Sequence, residues 1–160
     1  LYPDLAFEWD NLLPTCRRCN EEKSDADTRS NPIINPAIED PEQLLTYSFL
    51  RIKPLAGSGQ EHKAQQTIDV CNLNCERLYK ARSELMKSIT EYIDELKDKI
   101  NWISEADTDQ KRKIRITKLK NSIAVIESLT TAESAYSGYS KWFIQQCPEY
   151  QEAKRIVASR

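Results

Sequence analysis

The sequence has 160 residues, 23 of them basic and 25 acidic, for a formal net charge of −2. Hydrophobic residues make up 39% and charged residues 30%, and no run approaches the ~18 apolar residues that a membrane span needs. This balance excludes a global basic field for nucleic acid, so any such site must be local.

The length suits one ordinary domain or two small ones. Only three glycines occur, which long helices tolerate better than a turn-rich sheet fold does. The five cysteines are an odd number and no signal peptide is visible. We expect a reducing, cytoplasmic setting, in which a Cys-x-x-Cys pair suggests metal before disulfide. The chain starts at Leu1 without an initiator Met, so upstream residues are expected to be missing or removed.

In chain order, residues 1–60 hold six of the seven prolines and read as loops, short strands and one short helix. Thr46–Ile52 has strand-like composition, and Ala56-Gly57-Ser58-Gly59 follows as a turn or hinge. From His62 onward the pattern is helical. Leu78, Leu85, Ile89, Tyr92, Leu96, Ile100 and Ile103 mark one face of a long helix over about 74–103. Asp107 or Thr108 can cap a second helix, about 109–130, whose face runs Ile116, Leu119, Ile123, Ile126 and Thr130. Tyr136, Tyr139 and Phe143 mark a third over about 133–147, which Pro148 interrupts before a last short helix at Glu149–Val157.

The chemistry-bearing string is Asn11-Leu12-Leu13-Pro14-Thr15-Cys16-Arg17-Arg18-Cys19-Asn20-Glu21-Glu22-Lys23. Cys16 and Cys19 have the spacing that lets two thiolates reach one tetrahedral Zn²⁺ from a knuckle turn. Two further ligands would have to come from elsewhere. On spacing alone the pair could also be buried cysteines or a redox couple, although no thioredoxin-like context surrounds it.

The string Asn-Leu-x(3)-Cys-x-x-Cys-Asn-x-x-Lys resembles the second half of the HNH nuclease signature. With Leu1-Tyr2-Pro3, Asp10, Leu13, Asn35-Pro36, Asp40-Pro41-Glu42, Thr67-Ile68, Leu73-Asn74, Leu78 and Arg82, it is similar to the HNH subunits of Septu-type antiphage defence (PtuB-like), also found as retron effectors. The similarity covers roughly residues 1–82. It implies that residues 1–60 are the C-terminal half of a small ββα-metal (HNH, zinc-ribbon) module with a loop and a short hairpin; with the helical pattern of 61–160 read as a domain of long helices, the expected fold is α+β, mostly α.

The resemblance also implies roles. Cys16 and Cys19 would hold structural Zn²⁺. Asn20 would offer its carbonyl oxygen to a catalytic Mg²⁺ or Mn²⁺. Asn11 would brace the loop and orient a general-base His, and Lys23 matches the basic residue that often follows. Arg17, Arg18 and Lys23 could contact phosphates. Such a site hydrolyses phosphodiesters with one divalent metal and a neutral His as base. The one histidine, His62, lies on the wrong side of the motif, so the base and the second Cys pair are expected upstream of Leu1. The implied partners are a PtuA-like ABC/SMC-type ATPase, a nucleic-acid substrate (DNA by the common Septu pattern, tRNA or other RNA in retron-linked members) and, for those members, a retron reverse transcriptase with its msDNA.

The remaining candidates have bland readings. His62 reads as a solvent-facing helix residue. Cys71 and Cys75 could share a helix face and bind metal, but free Cys packs well as a small hydrophobe, and Cys147 reads as buried or inert. The cluster Lys111, Arg112, Lys113, Arg115, Lys118 and Lys120 could track a phosphate backbone or form a solvated face. Tyr136, Tyr139, Trp142 and Phe143 fall on helical spacing and read as core or partner surface. The competing function is a non-catalytic zinc-ribbon adaptor whose helices bind a protein partner.

Overall fold

The computed structural model describes Pro3, residues 7–9, Leu13 and residues 15–159. The chain forms two compact units, Leu1–Tyr79 and Lys80–Arg160. Among the described residues the architecture is α+β and mostly helical, with six α-helices and a two-stranded sheet.

The first unit contains α1 (Arg17–Lys23), a 3₁₀ turn (Pro41–Gln43), β1 (Leu45–Ser48), β2 (Arg51–Pro54), α2 (Glu61–Val70) and the start of α3 (Glu76–Ser104). Asp40 caps the 3₁₀ turn, its carboxylate accepting from the Glu42 N–H at 2.9 Å. The strand-like stretch Thr46–Ile52 is not one strand. It folds back at Phe49 and Leu50 into an antiparallel hairpin, with Ser48 opposite Arg51 and Tyr47 opposite Ile52. Phe49 takes φ +57° to make this two-residue loop. A bulky residue adopts that conformation only when its surroundings enforce it, and composition does not announce it.

Gly57 and Gly59 take φ +80° and +72° in the turn before α2, a conformation glycine adopts freely. The Gly57 N–H is anchored on the Glu61 carboxylate at 2.7 Å. The small core gathers Ile34, Leu44 and Ala64, with Leu45 beside them. Thr67 is buried there as a connector: its Oγ1 accepts from the Ile34 N–H (2.9 Å) and donates to the Lys63 carbonyl (2.8 Å). Lys63 pairs with Glu39.

The second unit holds the rest of α3, α4 (Asp109–Ser128), α5 (Ser137–Gln145) and α6 (Pro148–Ala158). Thr108 caps α4, its Oγ1 accepting from the Lys111 N–H at 3.3 Å. Ile116, Leu119, Ile123 and Ile126 of α4 form one buried stripe. They join Ile89, Ile93, Leu96 and Ile103 of α3, Ile144 of α5 and Ala153 of α6 in one cluster. The α3 stripe differs from the sequence reading at one turn: Ile93 is buried and Tyr92 is 36% exposed. A helix advances ~100° per residue, so the seam 89, 93, 96, 100, 103 stays on one face while Tyr92 falls at its solvent edge. Likewise Tyr139 is buried, but Tyr136 is 39% exposed and takes φ +59° just before α5. No helix among the described residues is long and apolar enough to cross a membrane.

Candidate metal centre

Cys16 stands at the N-cap of α1, with extended backbone (φ −70°, ψ 145°). Its Sγ accepts the Cys19 N–H at 3.3 Å, and its carbonyl accepts the Asn20 N–H at 3.1 Å. The helix therefore starts inside the Cys-x-x-Cys, and its first turn brings the two sulfurs together. An amide donating to a thiolate is the arrangement that a knuckle needs when both sulfurs face one ion. The hydrogen bonds from Cys19, side chain first and backbone second, lower the Cys16 thiol below its ordinary range. Burial pushes the Cys19 thiol up.

A third residue completes this arrangement. Arg77, on the first turn of α3, places Nη2 3.8 Å from Cys16 Sγ and 3.7 Å from Cys19 Sγ. It reaches the knuckle through the end of α2. Asn72 (φ +47°) closes that helix while the Leu73 N–H bonds back to the Ile68 carbonyl at 2.9 Å, a helix-ending pattern that turns the chain sharply. Sequence reasoning did not single out Arg77. Its only trace was its place inside the stretch of family resemblance.

Asn11 lies outside the described residues. Asn20 is exposed on α1, directly after Cys19. Lys23 is half-buried, and its charge opposes the upward push of burial on the Cys71 thiol. Arg17 and Arg18 are exposed, and Arg17 Nε is engaged by Glu21 at 2.7 Å one turn away. His62 is exposed on α2. Cys71, Cys75 and Cys147 are half-buried free thiols. Arg115 and Lys118 lie over the Trp102 ring, 4.5 and 5.0 Å from its centroid, and Lys111 pairs with Asp107. Among the described residues no group of three or more His, Cys, Asp or Glu side chains converges to hold an ion. Cys16 and Cys19 fit half of a tetrahedral thiolate site.

Fold and site define a mostly helical α+β chain in which a Cys-x-x-Cys pair opens a short helix. Over 73 residues, 46% of its length, the chain is 38% identical to the Septu protein PtuB of Bacillus thuringiensis, which makes it PtuB-like in that stretch. It spans about a quarter of that relative, since the match covers 26% of PtuB. No family model matches the sequence, and no solved structure matches it.

Proposed function

We propose that this chain is a Septu-type antiphage defence subunit, in which the knuckle and α1 form the second half of an HNH-type phosphodiesterase site. One observation carries the reading: in a PtuB-like chain, α1 starts within Cys16-x-x-Cys19 and sets Asn20 immediately after the second sulfur. Cys16 and Cys19 supply two thiolates to structural Zn²⁺. Asn20 offers a hard carboxamide oxygen to Mg²⁺ or Mn²⁺. When bound, that ion polarises the phosphate and stabilises the leaving oxygen.

By the family resemblance alone, Asn11 would be the residue that orients the general base. Lys23, one helical turn after Asn20, adds positive charge beside a phosphate, as does exposed Arg18. Arg17 contributes less, because Glu21 already engages it. The general base is assigned to no residue of this sequence. The substrate is nucleic acid, DNA by the common Septu pattern, and a PtuA-like ATPase is the controlling partner, docked on the C-terminal helices.

The test is Asn20→Ala, assayed for Mg²⁺-dependent cleavage of DNA and of tRNA together with metal content. Cleavage should fall by more than the roughly 10–100-fold that changes around a metal's ligands cost, with zinc content unchanged. Retained cleavage would remove Asn20 from the site. A full-length wild-type protein that holds zinc but cleaves neither substrate would favour the adaptor reading.

A further inference from the structure

We infer that Arg77 is a positioning residue of the Cys16–Cys19 metal site: its guanidinium holds the two sulfurs together and balances the charge of the thiolate–zinc centre. The inference rests on the zinc reading above. Its evidence is geometric. One terminal nitrogen, Nη2, lies within 3.8 Å of both Sγ atoms, across separations of 61 and 58 residues. No other long-range side-chain hydrogen bond to either sulfur is found among the described residues. α1 is only seven residues long and buries none of them, so packing alone does little to fix where its cysteines point.

The chemistry follows from charge. Two thiolates neutralise one Zn²⁺, and every further anionic ligand leaves the centre negative. A guanidinium is always protonated and presents several donors in a rigid plane. It can donate to both sulfurs at once, drawing charge from them without displacing them from the ion. Lysine keeps the charge but offers one compact head on a flexible stem, so it should replace Arg77 only in part. Partners of this kind tune metal affinity by about 10–100-fold.

The experiment compares wild-type chain with Arg77→Ala, Arg77→Lys and Cys16→Ser. It reads zinc stoichiometry, the rate of zinc transfer to a chromogenic chelator, and the sulfur-to-metal charge-transfer band after Co²⁺ substitution. Arg77→Ala should bind zinc but lose it about 10–100-fold faster or more weakly, with a shifted Co²⁺ band. Arg77→Lys should fall between Ala and wild type. If Cys16→Ser loses zinc while both Arg77 variants hold it as the wild type does, Arg77 has no positioning role and the zinc reading stands. If Cys16→Ser keeps stoichiometric zinc, the zinc reading itself fails. Should Arg77→Ala not fold, Arg77→Lys decides: wild-type zinc retention and an unshifted Co²⁺ band overturn the proposal.

Discussion

Asn74 acts as a one-residue strand partner for Ile52. Its side-chain Oδ1 accepts the Ile52 N–H at 2.9 Å, and its Nδ2 donates to the Ile52 carbonyl, also at 2.9 Å. Ile52 sits opposite Tyr47 in the hairpin, and both of its backbone groups are directed to the outer edge of β2, where no third strand pairs among the described residues. The carboxamide thus satisfies an edge that would otherwise invite pairing, and it ties the loop after α2 to the sheet.

Replacing Asn74 by Ala should therefore cost about 1–3 kcal/mol, because two part-buried backbone groups lose their partners at once. Asn74→Asp is no remedy, since it keeps the acceptor but sets an anionic oxygen against the Ile52 carbonyl. Urea denaturation gives the loss of stability, and hydrogen exchange locates it. The Ile52 amide should exchange faster in Asn74→Ala; unchanged protection there would show that the carboxamide is dispensable.

In the second unit, Leu119→Ala removes a side chain that is 0% exposed, at a cost of about 2–5 kcal/mol from lost transfer energy and the cavity left behind. Val125→Ala, on the same helix at 48% exposure, should stay within about 0.5 kcal/mol. Thermal melts of both variants check the contrast. Equal effects would mean that the stripe does not form the core.

That stripe was readable because a buried helix face repeats with the helical period. Ile116, Leu119, Ile123 and Ile126 obey the period, and Thr108 marks the start with a side chain suited to capping. Tyr92 was misplaced because an aromatic at the edge of a stripe has the same spacing as one inside it. A short hairpin was expected within residues 1–60, but the place of its turn at Phe49 was not readable, since no Gly or Asn flags the positive φ. Within the candidate site, Cys16, Cys19 and Asn20 were legible as a local motif. Arg77 and the role of Asn74 were not: their partners lie 61, 58 and 22 residues away, and no local pattern carries a contact made by the fold. The same limit applies to Arg82, a charged residue that α3 buries to 2% exposure.

Glu127, Tyr150 and Lys154 give the second unit a pH dependence at both ends. Tyr150 Oη donates to Glu127 Oε1 at 3.0 Å, and Lys154 Nζ contacts the same oxygen at 2.6 Å. Burial first, then Glu127, pushes the Tyr150 hydroxyl up to about 12. An unfolded tyrosine ionises near 10, so between about 10 and about 12 only the unfolded chain gains from losing that proton, and stability falls as pH rises through the window. Glu127 has the opposite arm. The hydrogen bond from Lys154, then that from Tyr150, holds its carboxyl below the usual carboxylate range. Its contribution is present above the unfolded value and is lost as pH falls below it. The Glu127–Lys154 pair is partly exposed, so this arm is worth only about 0.2–1 kcal/mol. Tyr150→Phe should flatten the alkaline loss and Glu127→Gln the acid loss, read from melts between about pH 3 and about pH 11. A Tyr150→Phe variant with the wild-type alkaline profile would show that another group sets it.

Metal removal should act first on the unit with the smaller core. Ile34, Leu44 and Ala64 form a modest cluster, and α1 buries no residue of its own. If the knuckle holds structural zinc as proposed, the energy of binding that zinc is folding energy. Cys16→Ser, or a strong chelator on the wild-type chain, should therefore remove zinc, lower the yield of folded protein and open residues 15–79 to protease. The helices of the second unit bury their own stripe of isoleucines and leucines, so a fragment near residues 80–160 should survive limited proteolysis longest. Mass spectrometry of the digest maps the cuts. A Cys16→Ser chain that keeps its zinc, melts as the wild type does and resists protease around α1 would show that the knuckle holds no structural metal.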